Sequence, residues 1–131
     1  MFKIYFSRYL LNILVFDRVI KGCPIPLEVT EHNNPVKTFG VRGSGKDGFL
    51  QPVAIAIDKE NDHVYVVDTG NSRIKVLTKD LDFVRHIENE GLEGRSCTGI
   101  DVSKDCIAVV NWRTKTVTSM DFNGATLSKV K

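Results

Sequence analysis

Through the second half of the chain, runs of about five residues rich in Val, Ile and Tyr alternate with clusters of turn-forming residues at Asn61-Asp62, Gly70-Asn71 and Asn123-Gly124. Apolar β-branched runs bounded by such clusters predict strands rather than helices. The pattern places them near 53–57, 64–68, 73–78 and 83–87, and again near 98–102, 107–111, 116–121 and 126–130. Asn123-Gly124 is the strongest hairpin signal, because a type I′ turn needs positive φ at both central positions.

The two groups of four strands repeat each other. Val64-Tyr65-Val66-Val67-Asp68 returns as Ile107-Ala108-Val109-Val110-Asn111 at an offset of 43 residues, and Arg73-Ile74-Lys75-Val76-Leu77 returns as Thr116-Val117-Thr118-Ser119-Met120 at the same offset. Upstream, Ala54-Ile55-Ala56-Ile57-Asp58 matches Gly99-Ile100-Asp101-Val102-Ser103 at an offset of 45, the difference being absorbed in the turn that follows. Loops tolerate such changes of length. Four short antiparallel strands recurring at this period are the arithmetic of a propeller blade. The sequence therefore predicts an all-β fold, a partial β-propeller of four-stranded antiparallel blades, with an N-terminal segment outside the repeat. An eight-stranded sandwich or barrel is the other fold with similar strands.

The stretch Gly48-Phe49-Leu50-Gln51-Pro52, Ala54–Asp58 and Val64-Tyr65-Val66-Val67-Asp68-Thr69-Gly70-Asn71-Ser72-Arg73-Ile74-Lys75-Val76-Leu77 resembles one complete NHL repeat. The second unit departs from that pattern, with Asn111, Trp112, Arg113 and Thr116 in place of Asp68, Thr69, Gly70 and Arg73. The expected organisation is residues 1–35 as a segment of unclear fold and 36–131 as a partial propeller. Within it, blade one spans about 48–90 and blade two about 91–131, and Val36–Gly40 is the outer strand of a preceding blade. Propellers close with four to eight blades. The resemblance thus implies a fragment of a longer chain, or self-association to supply the missing blades.

In the Asp-Thr-Gly-Asn-x-Arg stretch, the Asp68 carboxylate is expected to accept backbone N–H bonds in its turn. Gly70 and Asn71 are expected to supply permissive backbone conformations. Arg73 is expected to pair with Asp58 or Asp68.

Composition adds limits. The chain is 42% hydrophobic and 26% charged, with a net charge of +2, too mild to imply nucleic acid by itself. Its three cysteines, Cys23, Cys97 and Cys106, form no C-x-x-C pair. Cys97 and Cys106 read as buried small hydrophobes. His32, His63 and His86 lack metal-ligand spacing. The first twenty residues are apolar but interrupted by charge. They read as a packed strand or helix, as a start foreign to the domain, or, least readily, as a secretion signal. The absence of an N-x-[ST] sequon points to a cytoplasmic chain.

Gly40-Val41-Arg42-Gly43-Ser44-Gly45-Lys46 fits G-x-x-x-x-G-K, but Asp47 follows where a phosphate loop needs Ser or Thr, and Gly48 and Pro52 lie where its helix should begin. It reads as an inter-blade loop. No nucleophile elbow or Cys/His pairing is present. No catalytic residue, metal site or cofactor is therefore predicted, and no membrane contact.

The turns joining strands two and three, and those joining blades, open on one end of a propeller. That end collects the candidate ligand-contacting residues Arg42, Lys46, Arg95, Trp112, Arg113 and Lys115, although Asp47, Glu88, Glu90 and Glu93 also fall there. The other end collects Glu60, Asp62, Asp80, Asp82 and Asp105, diluted by Lys59, Lys79 and Lys104. A Trp beside Arg and Lys at a turn tip can stack on a base while the cations meet phosphates, or it can pack against a neighbouring blade. The resemblance to tripartite-motif–NHL proteins implies a non-catalytic platform for single-stranded RNA or a protein partner. It also implies a link to ubiquitin ligation only through a RING domain that this chain lacks. A metal-dependent, lyase-like propeller and a truncated product without independent function are the alternatives.

Overall fold

Two four-stranded antiparallel sheets, stacked face to face, organise residues 52–130. The computed structural model describes the backbone of residues 3–7, 13–16 and 35–131, and side chains from residue 39 onward. Cys23, His32 and the rest of the N-terminal segment lie outside the described residues.

The first sheet, or blade, has the order β6 (Pro52–Asp58), β7 (His63–Asp68), β8 (Arg73–Thr78), β9 (Phe83–Ile87). The second runs β10 (Cys97–Val102), β11 (Ile107–Asn111), β12 (Thr116–Met120), β13 (Thr126–Val130). All eight lie within a residue of the strands predicted from the sequence, and each blade is a simple meander. The repeat holds at the level of register: Val67 faces Ile74 in the first blade and Val110 faces Val117 in the second.

Before the first blade come β1 (Lys3–Ser7), β2 (Ile13–Phe16), β3 (Pro35–Phe39), β4 (Val41–Arg42) and β5 (Gly48–Phe49). β3 is an edge strand that pairs with β1 in the order β2-β1-β3. β4 and β5 pair in parallel across the Gly40–Lys46 stretch, which enters a strand and not the helix that a phosphate loop requires.

Both faces of the first blade are covered, so its strands are apolar on both sides. Tyr65, Val67, Ile74, Val76 and Ile87 meet Leu92, Cys97, Ile107, Val109 and Met120 in the core between the blades. On the opposite face Val64, Val66 and Leu77 pack with Phe49 and Leu81, and Phe39, Ile55 and Phe83 close over them. Each such side chain contributes about 1.5–3 kcal/mol when fully withdrawn from water. The far face of the second blade is bare by comparison: Val110, Val117 and Val130 are 42%, 46% and 61% exposed.

Hydrogen bonds pin the blades together at both ends. Thr69 Oγ1 donates to Cys97 O at 2.5 Å, beside the β7–β8 turn. At the other end Arg85 Nη2 donates to Phe122 O at 2.7 Å. A third bond links the connector between the blades to the β12–β13 turn: Asn89 Nδ2 donates to Gly124 O at 2.7 Å.

The turns revise three sequence expectations. The Asn123-Gly124 hairpin exists, but only Gly124 has positive φ (92°), and Gly124 N donates to Asp121 O at 3.1 Å. This is a three-residue loop with a bulge, not a type I′ turn. A side chain at Gly124 would also strike Glu88 O at 2.7 Å. In the β7–β8 turn the left-handed residue is Ser72 (φ 52°), not Gly70 or Asn71. Gly70 is required for another reason: its Cα lies so near the incoming strap that a Cβ would sit 2.5 Å from Leu50 Cβ. Of the cysteines, Cys97 is buried as expected, and burial pushes its thiol above the usual range. Cys106 is only half-buried, beside Ser103 Oγ at 3.6 Å. Among the described residues no helix is long and apolar enough to cross a membrane.

Candidate functional site

The meander sends the β7–β8 turn (69–72), the β11–β12 turn (112–115) and the connector between blades (88–96) to one end of the stack. Hydrogen bonds tie them to one another. Trp112 N donates to Ser96 O at 3.1 Å, and Asn111 Nδ2 donates to Glu93 O at 3.2 Å and Gly91 O at 3.3 Å. Asn111 Oδ1 accepts from Ser96 Oγ (2.8 Å), Arg113 N (3.0 Å) and Thr114 N (3.2 Å). One buried amide thus fixes both the connector and the turn that carries Trp112.

Trp112 is 57% exposed on this anchored turn. The Arg113 guanidinium carbon lies 5.6 Å from the centre of its ring, a cation–π geometry that orients the indole. Lys115 (φ 55°) and Arg95 (φ 54°) both take the left-handed conformation and both are exposed. Arg95, Trp112, Arg113 and Lys115 therefore share one turn system. Arg42 and Lys46 do not join them: Arg42 sits in β4, and Lys46 Nζ lies 5.8 Å over the Phe83 ring at the start of β9.

Between the β7–β8 turn and the connector lies a groove of about 450 Å³ lined by Asn71, Ser72, Glu88, Asn89, Glu90 and Glu93. Its three carboxylates make this part of the end acidic. Glu90 also holds Lys129 in an exposed ion pair at 3.7 Å. The opposite end is the acidic turn set, where Asp58 accepts from Glu60 N, Asn61 N and Asn61 Nδ2. Burial opposes ionisation of Asp58, but those hydrogen bonds outweigh it and keep the carboxyl below its usual range.

The first blade's turn residues are structural, in a different way from that expected. Asp68 is fully buried and accepts from Leu50 N (3.0 Å), Gln51 N (2.8 Å) and Asn71 Nδ2 (2.6 Å). It clamps the strap entering the blade and not the backbone of its own turn. Arg73 pairs with neither Asp58 nor Asp68; its Nη2 donates to Gly45 O at 3.1 Å. The backbone of residues 43–46, bent back on itself by the Gly48 N to Gly45 O bond, presents the Gly45 carbonyl to the guanidinium.

Sequence reasoning missed Lys75. Strand alternation puts it on the face of β8 away from the inter-blade core, where a charged residue reads as solvated. It is fully buried instead. Its Nζ donates to Gly45 O (3.1 Å) and Lys46 O (2.5 Å), faces His86 Nε2 at 2.9 Å, and lies 5.0 and 5.4 Å from the centres of the Phe49 and Phe83 rings. Burial, and then the charge of Arg73, lowers the Lys75 ammonium to about 8. Burial, then Lys75 and Arg73, lowers His86 to about 4. His63, on β7, packs edge-on against Tyr65 instead. Among the described residues no three His, Cys, Asp or Glu side chains are placed to hold a metal ion.

Comparison with known proteins places this geometry. Residues 49–77 match the NHL repeat family model. Protein lin-41 of Caenorhabditis elegans is 34% identical over 86 residues, covering 60% of this chain. The chain spans 7% of the length of that relative. Among solved structures, the crystal structure of a nidogen/laminin complex superimposes with a TM-score of 0.56 at 19% identity, over 63% of this chain and 31% of the matched one. At that identity the likeness is one of fold.

Proposed function

We propose that this NHL-repeat chain, of the tripartite-motif–NHL type and folded as part of a β-propeller, serves as a non-catalytic binding platform. The contact surface is the end that carries Trp112, Arg113, Lys115 and Arg95. One observation carries the reading: a large aromatic side chain is held out to solvent on a turn whose backbone is fixed by Asn111. Exposing an indole forgoes a large burial energy, and anchoring its turn lowers the entropy lost when a partner stacks on it.

The partner is single-stranded RNA or a protein segment. The Trp112–Arg113 pair suits a stacked base with an adjacent phosphate. The groove bearing Glu88, Glu90 and Glu93 favours the protein reading, since a phosphate backbone crossing it would meet three carboxylates. A cytoplasmic setting accords with the lack of glycosylation sequons. Any ubiquitin-ligase activity would belong to a RING domain outside this sequence.

The test is titration of labelled single-stranded RNA and labelled basic peptides at low and moderate salt, with Trp112→Ala and Arg113→Glu alongside. Loss of a base stack weakens RNA binding by about 1–3 kcal/mol, and the remaining affinity falls steeply with salt. Binding of either ligand that is indifferent to both substitutions overturns the assignment of this surface.

A further inference from the structure

The carbonyls of residues 43–46 are held by three side chains of the first blade: Asn71 on Gly43 O (3.1 Å), Arg73 on Gly45 O, and Lys75 on Gly45 O and Lys46 O. Two backbone bonds fold this segment back on the chain that follows, Gly43 N on Phe49 O (3.0 Å) and Gly48 N on Gly45 O (3.1 Å). Arg73 and Asn71 approach from the solvent side, whereas Lys75 is sealed in by Phe49, Phe83 and His86.

We propose that Lys75 and His86 form a latch on the glycine-rich loop that stays closed in both protonation states of Lys75 and opens when His86 takes up a proton. As an ammonium, Lys75 has three donors, and the three atoms around it are Gly45 O, Lys46 O and an unprotonated His86 Nε2. When Lys75 releases one proton to solvent, it keeps two donors for the carbonyls and gains a lone pair. His86 then shifts its proton from Nδ1 to Nε2 and becomes the donor. Every polar atom on the amine stays satisfied in either state. With both groups charged, two donors confront each other at 2.9 Å with no bond between them, and the contact must break. The other charges that bear on Lys75 among the described residues are Arg73, Asp68 and Asp47. Opening would free Lys46 and the strap that leads to Phe49.

The lowered titration of both groups accords with this order of events, Lys75 near 8 and His86 near 4. Nuclear magnetic resonance on the full chain tests it directly. The expected result is a His86 proton on Nδ1 below about pH 8 and on Nε2 above it. Amides of Gly43 and Gly48, corrected for intrinsic exchange, should keep their protection across that change. In acid they should lose it roughly tenfold or more, as expected for losing hydrogen bonds to a charged group, while β11 amides hold theirs. His86→Phe, which keeps a ring against Phe83, should abolish the acid step. Lys75→Met should leave the loop unprotected at neutral pH. One His86 tautomer throughout overturns the latch. So does loop opening as Lys75 deprotonates, an acid step that survives His86→Phe, or a loop that remains protected in Lys75→Met.

Discussion

Asp68 and Asn111 occupy the same place at the ends of β7 and β11, yet they hold the strap entering their own blade with opposite polarity. Asp68 accepts from the amides of Leu50 and Gln51, whereas Asn111 donates to the carbonyls of Gly91 and Glu93. A carboxylate can only accept, so the strap before the first blade turns its N–H groups inward. An amide can do both, so the second strap can present carbonyls while Asn111 Oδ1 still serves the turn that bears Trp112.

It follows that the two residues are not interchangeable. Asp68→Asn places an NH2 group or a weaker acceptor against buried amides, and Asn111→Asp sets a carboxylate against two carbonyls. Each exchange should cost about 1–3 kcal/mol, read as a lower urea midpoint at constant slope.

Gly124→Ala should destabilise by about 1–3 kcal/mol in the same assay, because the new methyl combines positive-φ strain with a clash on Glu88 O. Asn123→Ala, where no positive φ is required, should cost far less.

The pH dependence of stability should carry the signature of the buried lysine. Its folded value, about 8, lies below the ordinary 10.5, so the unfolded chain binds the extra proton between those values. Stability contributed through Lys75 therefore rises with pH from about 8 to 10.5, and Lys75→Met should flatten that part of the curve. His86 is depressed from 6.5 to about 4, so stability falls as pH drops through that window. His86→Phe should remove that fall. Urea midpoints measured across pH on the three chains would show both.

Trp112→Ala should leave the unfolding midpoint within about 0.5 kcal/mol of the parent, as for an exposed side chain with no packing role. A loss of more than 2 kcal/mol would mean that the indole packs in solution.

The blades were legible because two signals coincided: strand-length apolar runs and a 43-residue echo, both of which survive local irregularity. Turn residues could be assigned to turns but not to roles. Gly70 and Asn71 do not supply the left-handed conformation expected of them; Ser72 does, and the requirement at Gly70 comes from Leu50, remote in sequence, and not from its own φ. The partner of Arg73 and the burial of Lys75 were hidden for a related reason. Both depend on a loop some 28–30 residues upstream folding back over the outer face of the sheet, which alternation along one strand does not encode. In the candidate surface, the grouping of Arg95 with Trp112, Arg113 and Lys115 followed from strand order. The departure of Lys46 towards Phe83 did not, since it reflects the path of that same loop.

The bond from Thr69 to Cys97 and the bond from Arg85 to Phe122 lie at opposite rims of the stacked sheets. A bond at one rim leaves the sheets free to fan open, whereas bonds at both rims resist fanning and sliding alike. The span between the tips of the 69–72 and 112–115 turns is held from both rims. A partner lying across it is expected to match the pitch that these two bonds set.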